Sequence, residues 1–242
     1  MVCGRDGKLP MGKLTVQIEE AGYEGRSRVI SDIAFTVGEG ELVGLIGPNG
    51  AGKSTTIKAV LGLLKDVKGK VEFPGGSPNY AYIPEHPVLY DELTLWEHLR
   101  LAASAFGLDD ATFEARATEL LERFRLTGAK HDLPTGFSKG MQQKLMLIIG
   151  FIHEPELYIV DEPFIGLDPR AIKEFLDMLD SERKRGAGVL MSTHVLDTAE
   201  RICSSFLLVN EGKLIASGQM QDIRAKCGLP GASLFDCFHA LT

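Results

Sequence analysis

Cysteine is scarce in this 242-residue chain, and the four that occur (Cys3, Cys203, Cys227 and Cys237) form no CxxC pair and no metal-ligand spacing. That excludes a zinc ribbon, a thioredoxin-like motif and a disulfide scaffold. The thiols read as buried or idle ones in a reducing compartment. Long apolar runs are missing too. The longest, Leu145 to Ile152, falls far short of the ~20 residues that a membrane-spanning helix needs. The N-terminus mixes Arg5, Asp6 and Lys8 with glycine and has no apolar centre, so it does not read as a signal peptide. Positive charge is not in excess: 26 Lys and Arg face 33 Asp and Glu, a net charge of −7. Binding by phosphate neutralisation needs the opposite balance, so no nucleic-acid partner is expected. Repeats and low-complexity tracts are absent, and 44% apolar with 24% charged residues is globular composition. The expectation is a soluble protein of the cytoplasm.

Glycine is what the chain has in plenty, 27 residues, above the usual ~7%, so tight turns and close backbone approaches are expected. Residues 1–12 are small, charged and unpatterned, and read as a flexible leader, with Met11 as an alternative start. Leu14, Val16 and Ile18 alternate with polar residues, as do Ile33, Phe35 and Val37, which predicts half-buried strands. The run Leu42 to Ile46 predicts a strand buried on both faces. A glycine turn follows, then helical spacing from Lys53 to Leu64. Between Glu85 and Ile152 the pattern changes to three helices, Thr94–Phe106, Ala111–Arg125 and Ser138–Ile152. Strands at Leu157–Val160, Val189–Ser192, Phe206–Val209 and Lys213–Ala216 then alternate with helices at Pro169–Lys184 and Val195–Arg201. This is an α/β core with a helical insertion.

Two motifs carry chemistry. Gly47-Pro48-Asn49-Gly50-Ala51-Gly52-Lys53-Ser54-Thr55 fits GxxxxGK[ST] between a buried strand and a helix, the setting a phosphate-binding loop requires. Its glycines let backbone N–H groups curl around phosphates at a helix N-terminus. Lys53 would reach the β- and γ-phosphates, and the Ser54 hydroxyl would hold Mg²⁺. The second motif, Leu157-Tyr-Ile-Val-Asp-Glu-Pro163, is an apolar strand ending in two carboxylates. Asp161 is placed for Mg²⁺ or its water. Glu162, opposite along the pleat, is placed to polarise an attacking water.

With these in place the chain resembles the nucleotide-binding subunit of an ATP-binding cassette (ABC) transporter from Lys13 to Thr242. Further motifs follow in the family's order. Phe137-Ser138-Lys139-Gly140-Met141-Gln-Gln143 resembles the signature sequence, Gly166-Leu-Asp168-Pro169 the D-loop, and His194 in Ser-Thr-His the switch histidine. Ala81-Tyr-Ile-Pro-Glu85 resembles the Q-loop, and Tyr23 sits where the family stacks an aromatic on adenine. The wording around residues 82–94 is similar to the ATPase of Ecs-type bacterial exporters. The resemblance implies a P-loop NTPase core with a mixed, mostly parallel sheet and helices on both faces, plus an antiparallel β subdomain and a helical subdomain. The core would comprise 13–84 and 153–242, the helical subdomain 85–152. It further implies a head-to-tail homodimer closing on two ATP, Lys53 of one copy facing Ser138 and Gly140 of the other. Asp168 would act across the dimer and His194 at the γ-phosphate. Transmembrane permease subunits would supply the pathway, with this chain at the inner face of the cell membrane.

Departures from the pattern matter. Lys139 stands where glycine is usual, reaching toward phosphates or, as we favour, into solvent. Glu85 replaces the metal-ligating glutamine, so an oxygen ligand survives with charge on it; the other reading turns it outward toward the permease. The alternative for Tyr23 is a plain strand-edge tyrosine. His86, His98, His131, His153 and His239 share no spacing and read as surface or loop residues. Rival functions are an ABC ATPase of DNA repair or translation, against which one cassette and an acidic balance speak, and an ATP-binding switch without turnover, against which Glu162 and His194 speak.

Overall fold

The alternation of Leu14, Val16 and Ile18 buries those side chains along β1 (Leu14–Tyr23), which runs antiparallel to β2 (Arg26–Val37). Their register sets Val16 opposite Phe35 and Ile18 opposite Ile33, so the two alternating stretches form one layer of cross-strand pairs. In the computed structural model residues 13–73 and 79–242 are described, with only the backbone at 26 and 27; the expected leader and Cys3 lie outside the described residues. The apolar runs become strands buried at every position, β3 (Leu42–Ile46), β6 (Leu157–Asp161) and β7 (Gly188–Thr193). Such strands suit a parallel sheet covered on both faces, and β3 pairs parallel with β7, and β7 with β6.

Four more strands complete the sheet: β4 (Asp66–Glu72), β5 (Tyr80–Ile83), β8 (Ser205–Asn210) and β9 (Lys213–Gly218). The order is β4-β1-β2-β9-β8-β3-β7-β6-β5. Among the described residues its antiparallel section β4-β1-β2 joins the rest of the sheet at the parallel pair Ser31–Lys213, and β8 and β9 also run antiparallel, so the sheet is mixed. Neither β4 nor β5 was expected. The first carries Asp66, Lys68, Gly69 and Lys70 on an edge with little burial, so it has no hydrophobic period to read.

The helix after the glycine loop, α1 (Lys53–Val60), is shorter than the predicted span to Leu64. Gly62 adopts φ +70° and the Leu63 N–H reaches back to the Lys58 carbonyl, a left-handed stop that helical spacing does not reveal. Ile57 and Val60 of α1 pack among β1, β2 and the core strands. The middle of the chain forms α2 (Leu95–Ala105), α3 (Asp110–Arg123) and α4 (Lys139–Phe151), capped by Thr94, Asp109 and Ser138. Their buried residues, Leu99, Phe113 and Leu147 among them, share one cluster with Phe175 of α5 (Pro169–Arg185) and Met191 of β7.

The last helices are α6 (Leu196–Ile202), α7 (Met220–Cys227) and α8 (Leu234–Leu241). The final two carry start signals that the hydrophobic pattern hides: Asp222 accepts the Gln219 N–H at α7, and Ser233 with Asp236 forms a reciprocal cap at α8. They pack Ile223, Leu234 and Cys237 beneath β8 and β9. Among the described residues no helix is long and apolar enough to cross a membrane.

Candidate functional site

Burial of β3 on both faces drives the chain into the sheet's interior and releases it at Gly47, where the phosphate-loop residues begin. The loop closes at Gly52, which caps α1 at φ +107°; a Cβ there would meet Ile30 Cγ2 at 2.7 Å, so only glycine fits. Lys53 follows, its side chain only 6% exposed. Its Nζ donates to the carbonyls of Gly47 (2.8 Å) and Pro48 (3.2 Å) and stands 3.2 Å from Glu162 Oε1. Two carbonyl acceptors and one carboxylate charge thus hold the ammonium over the loop. The Lys53–Glu162 contact is one of charge alone: Glu162 Oε1 is buried and makes no hydrogen bond.

The two acids at the end of β6 are organised by the neighbouring strand. Ser192 of β7 donates its hydroxyl proton to Asp161 Oδ1, and its oxygen accepts the Glu162 N–H at 3.1 Å. The Glu162 N–H also reaches the Ser192 carbonyl at 3.2 Å. Glu162 itself adopts φ +46°, a left-handed conformation that costs a non-glycine residue roughly 1–2 kcal/mol. That turn, more than simple alternation along the pleat, sets the direction of its carboxylate. Oε2 accepts the His194 Nδ1–H at 2.9 Å, which leaves Nε2 as the ring nitrogen for other partners. Glu162 therefore bridges Lys53 and His194.

These groups face a cleft of about 420 Å³ lined by Asn49, Gly50, Gly52, Lys53, Ser54, Thr55, Glu85, Glu162 and His194, with Val29 and Ile165 as its apolar walls. Sequence reasoning missed both apolar walls and Ser192, since a valine or serine within a strand pattern carries no chemical signal. Glu85 lines the cleft. Tyr82 lies close enough to Asp161 and Glu85 for both to disfavour its ionisation; burial does most, and together they push its hydroxyl up to about 12. Asp161 is buried beside Ser192 and is not among the residues that line the cleft. Ala51 is buried, and Gly47 and Pro48 contribute carbonyls to Lys53.

Tyr23 does not line this cleft. Its hydroxyl is 3.3 Å from Thr55 Oγ1 and its ring lies beneath Lys58 Nζ at 5.6 Å, so it adjoins α1 from the strand edge. Ser138 and Gly140 lie elsewhere, at the start of α4, where Ser138 Oγ accepts the Met141 N–H. A Cβ on Gly140 would sit 2.8 Å from the Gly166 carbonyl, so glycine permits α4 to abut the loop before α5. Lys139 is exposed.

Asp168 caps α5 through the Ala171 N–H (2.9 Å) and takes a 2.6 Å contact from Lys144 Nζ of α4. The Lys144 bond first, then the Ala171 N–H, hold its carboxyl below the ordinary 3.8. Both contacts favour the ionised acid, so the α4–α5 tie is complete above pH 3.8 and is lost as pH falls through the lower folded-state value. In Lys144→Ala the Asp168 carboxyl, followed by NMR titration, should move up toward its ordinary value. An unmoved titration would assign the effect to the helix cap alone.

Among the described residues no group of three or more His, Cys, Asp or Glu is placed to hold a metal ion. His98 is buried rather than at the surface, accepting the Tyr90 N–H and donating to the Thr94 carbonyl. His153, in the turn after α4 and so a loop residue as expected, stacks on Phe106, and partial burial pulls its pKa down to about 4.

Comparison with known proteins identifies the family. A family description reading "ABC transporter" matches residues 30–165. "Uncharacterized ABC transporter ATP-binding protein YthP" of Bacillus subtilis (strain 168) is 55% identical over 93% of this chain and 95% of its own. "ABC-type transporter ATP-binding protein EcsA" of the same organism is 45% identical over 96% and 97%. A solved structure, "Structure of ATP binding subunit of ABC transporter", superposes with a TM-score of 0.90 at 48% identity, covering 94% of this chain and 98% of the other. The phosphate loop on a P-loop NTPase fold, the paired acids and these relatives place the chain in the ABC transporter family, as an ATP-binding subunit of the kind that hydrolyses ATP to power transport.

Proposed function

We propose that ATP is hydrolysed in the cleft between α1 and β6, and that the Glu162 bridge from Lys53 to His194 is the centre of that chemistry. The bridge is the observation that carries the reading: one buried carboxylate is shared between the phosphate-binding cation and a histidine. Lys53 binds the β- and γ-phosphates, and the loop 47–55 cradles them with N–H groups at the N-terminus of α1. Glu162 accepts a proton from the attacking water through Oε1, the oxygen with no hydrogen bond. His194 orients Glu162 through Nδ1 and meets the γ-phosphate through Nε2. Catalysis of this kind is positioning and charge stabilisation rather than covalent chemistry.

Ser54 and Glu85 on the cleft lining, with Asp161 buried at the end of β6, are hard oxygen donors of the kind Mg²⁺ takes, and phosphates and water would complete its shell. Mg²⁺ would supply charge neutralisation on the phosphates. Two copies would face head to tail, with Ser138 and Gly140 of one copy completing the other's site and Asp168 at the junction. Residues 13–84 and 153–242 would act as the nucleotide-binding core and 85–152 as a helical lobe. Transmembrane permease subunits would hold the chain at the inner face of the membrane. Export is the direction favoured by the likeness around residues 82–94 to Ecs-type exporters.

Phosphate release by the purified chain with ATP and Mg²⁺ tests the reaction; absence of Mg²⁺-dependent turnover from the chain and its membrane complex alike would sink it. The Glu85 assignment has its own test. A carboxylate lining the cleft should repel metal-free ATP, so Glu85→Gln should bind ATP more tightly than wild type in EDTA and depend less steeply on Mg²⁺. Identical metal-free affinities would show that Glu85 does not face the nucleotide.

A further inference from the structure

Far from the phosphate loop in sequence, the turn between α7 and α8 brings two thiols together. Cys227 is the last residue of α7 and Cys237 lies in α8, ten positions on, with their sulfurs 3.1 Å apart. Uncombined sulfurs ordinarily rest farther apart than this, and a disulfide needs about 2.05 Å, so closure asks for roughly an ångström of movement. Gly228, at φ +71°, turns the chain immediately after Cys227. Cys237 is fully buried in the cluster beneath β8, whereas Cys227 is partly exposed. The spacing of these cysteines suggested idle thiols. Only the return of α8 against α7 makes them a pair.

We propose that Cys227 and Cys237 form a dithiol modification site, in which a hydroperoxide oxidises Cys227 and the pair closes into an intramolecular disulfide. Exposure assigns the order. Cys227 meets the oxidant, while burial withholds Cys237 from it and, with the neighbouring thiol, pushes its pKa up to about 11, so Cys237 does not react first. In the first step the deprotonated Cys227 sulfur attacks the peroxide, a sulfur–oxygen bond forms, the oxygen–oxygen bond breaks and water or alcohol leaves. In the second, the Cys237 sulfur gives up its proton and attacks the Cys227 sulfur, the sulfur–oxygen bond breaks and water leaves. Two thiols lose two electrons, and the peroxide gains them.

The clasp would lie against the nucleotide site. Phe235 and Phe238, on either side of Cys237 in α8, line an apolar groove of about 380 Å³ with Pro48, Asn49, Leu196 and His194. A crosslink from α7 therefore fixes the helix that carries these rings beside the phosphate loop.

Cleavage after Lys226 releases residues 227–242 as one peptide containing both cysteines and no further Lys or Arg. The whole chain is treated with hydrogen peroxide, alkylated while folded and again after denaturation, then digested and weighed. The expected peptide is two hydrogens lighter, resists alkylation in both steps, and regains both alkylation sites after dithiothreitol. Cys227→Ser, at the partly exposed position, should abolish the mass loss and leave Cys237 alkylated only on denaturation. Cys237→Ala should leave Cys227 to over-oxidise. Wild-type peptide carrying a sulfinic acid on Cys227, two alkyl groups, or a crosslink to another cysteine would each overturn the proposal.

Discussion

Glu162→Gln should slow ATP turnover by about 10²–10⁴-fold, the range for removing a general base, while leaving ATP binding intact. Glutamine keeps the shape and an oxygen that can accept the His194 Nδ1–H, so the geometry at β6 is retained. What disappears is the negative charge 3.2 Å from Lys53. Without nucleotide, the buried ammonium keeps only the Gly47 and Pro48 carbonyls, and the folded state should lose roughly 1–3 kcal/mol. With ATP present the phosphates replace the lost partner. The variant should therefore gain more thermal stability from ATP than wild type does, because ligand affinity for the native state sets that shift. ATP affinity should be higher, since no carboxylate competes for Lys53. On gel filtration with ATP and Mg²⁺ the variant should accumulate as a dimer. Wild-type turnover in Glu162→Gln, or a monomer at saturating ATP, would remove Glu162 from the catalytic role.

The path from sequence to this site is uneven for physical reasons. The strands that build the floor were legible because burial on both faces demands unbroken runs such as Leu42 to Ile46, and burial on one face demands alternation such as Leu14, Val16, Ile18. The phosphate loop was legible because few residue types satisfy its backbone, Gly52 at φ +107° above all. Ser192 was not. Its part depends on β7 lying beside β6, a pairing between residues 31 positions apart in Asp161 and Ser192 that no local pattern records. The left-handed turn at Glu162 escaped for the opposite reason: glutamate rarely adopts it, so local preference points elsewhere and the hydrogen bonds from its N–H to Ser192 override that preference. Helix ends divide in the same way. Ser233 with Asp236 is a start signal written in residue types, whereas the stop at Gly62 needs the backbone angle to be known.

Lys53→Ala should lose both nucleotide and stability, and the two losses can be separated. Charge-assisted hydrogen bonds to phosphate contribute about 1.5–3 kcal/mol each, so removing the ammonium should weaken ATP binding roughly 10–150-fold. A lysine on an exposed glycine loop would be neutral to the fold. This one is 6% exposed and faces an equally buried carboxylate, so its removal strands Glu162 with only the His194 contacts. One-sided removal of a buried ion pair costs up to about 3–5 kcal/mol, and the thermal transition should fall accordingly. The double variant Lys53→Ala/Glu162→Gln resolves the cause. Neutralising the stranded acid should restore most of the stability, since no buried charge then lacks its partner, yet ATP affinity should stay as low as in Lys53→Ala. Thermal melts and nucleotide titrations on wild type, both single variants and the double variant form a complete cycle with a coupling energy. A double variant no more stable than Lys53→Ala would show that the two side chains do not depend on each other. Wild-type ATP affinity in Lys53→Ala would refute the phosphate-binding role of the loop.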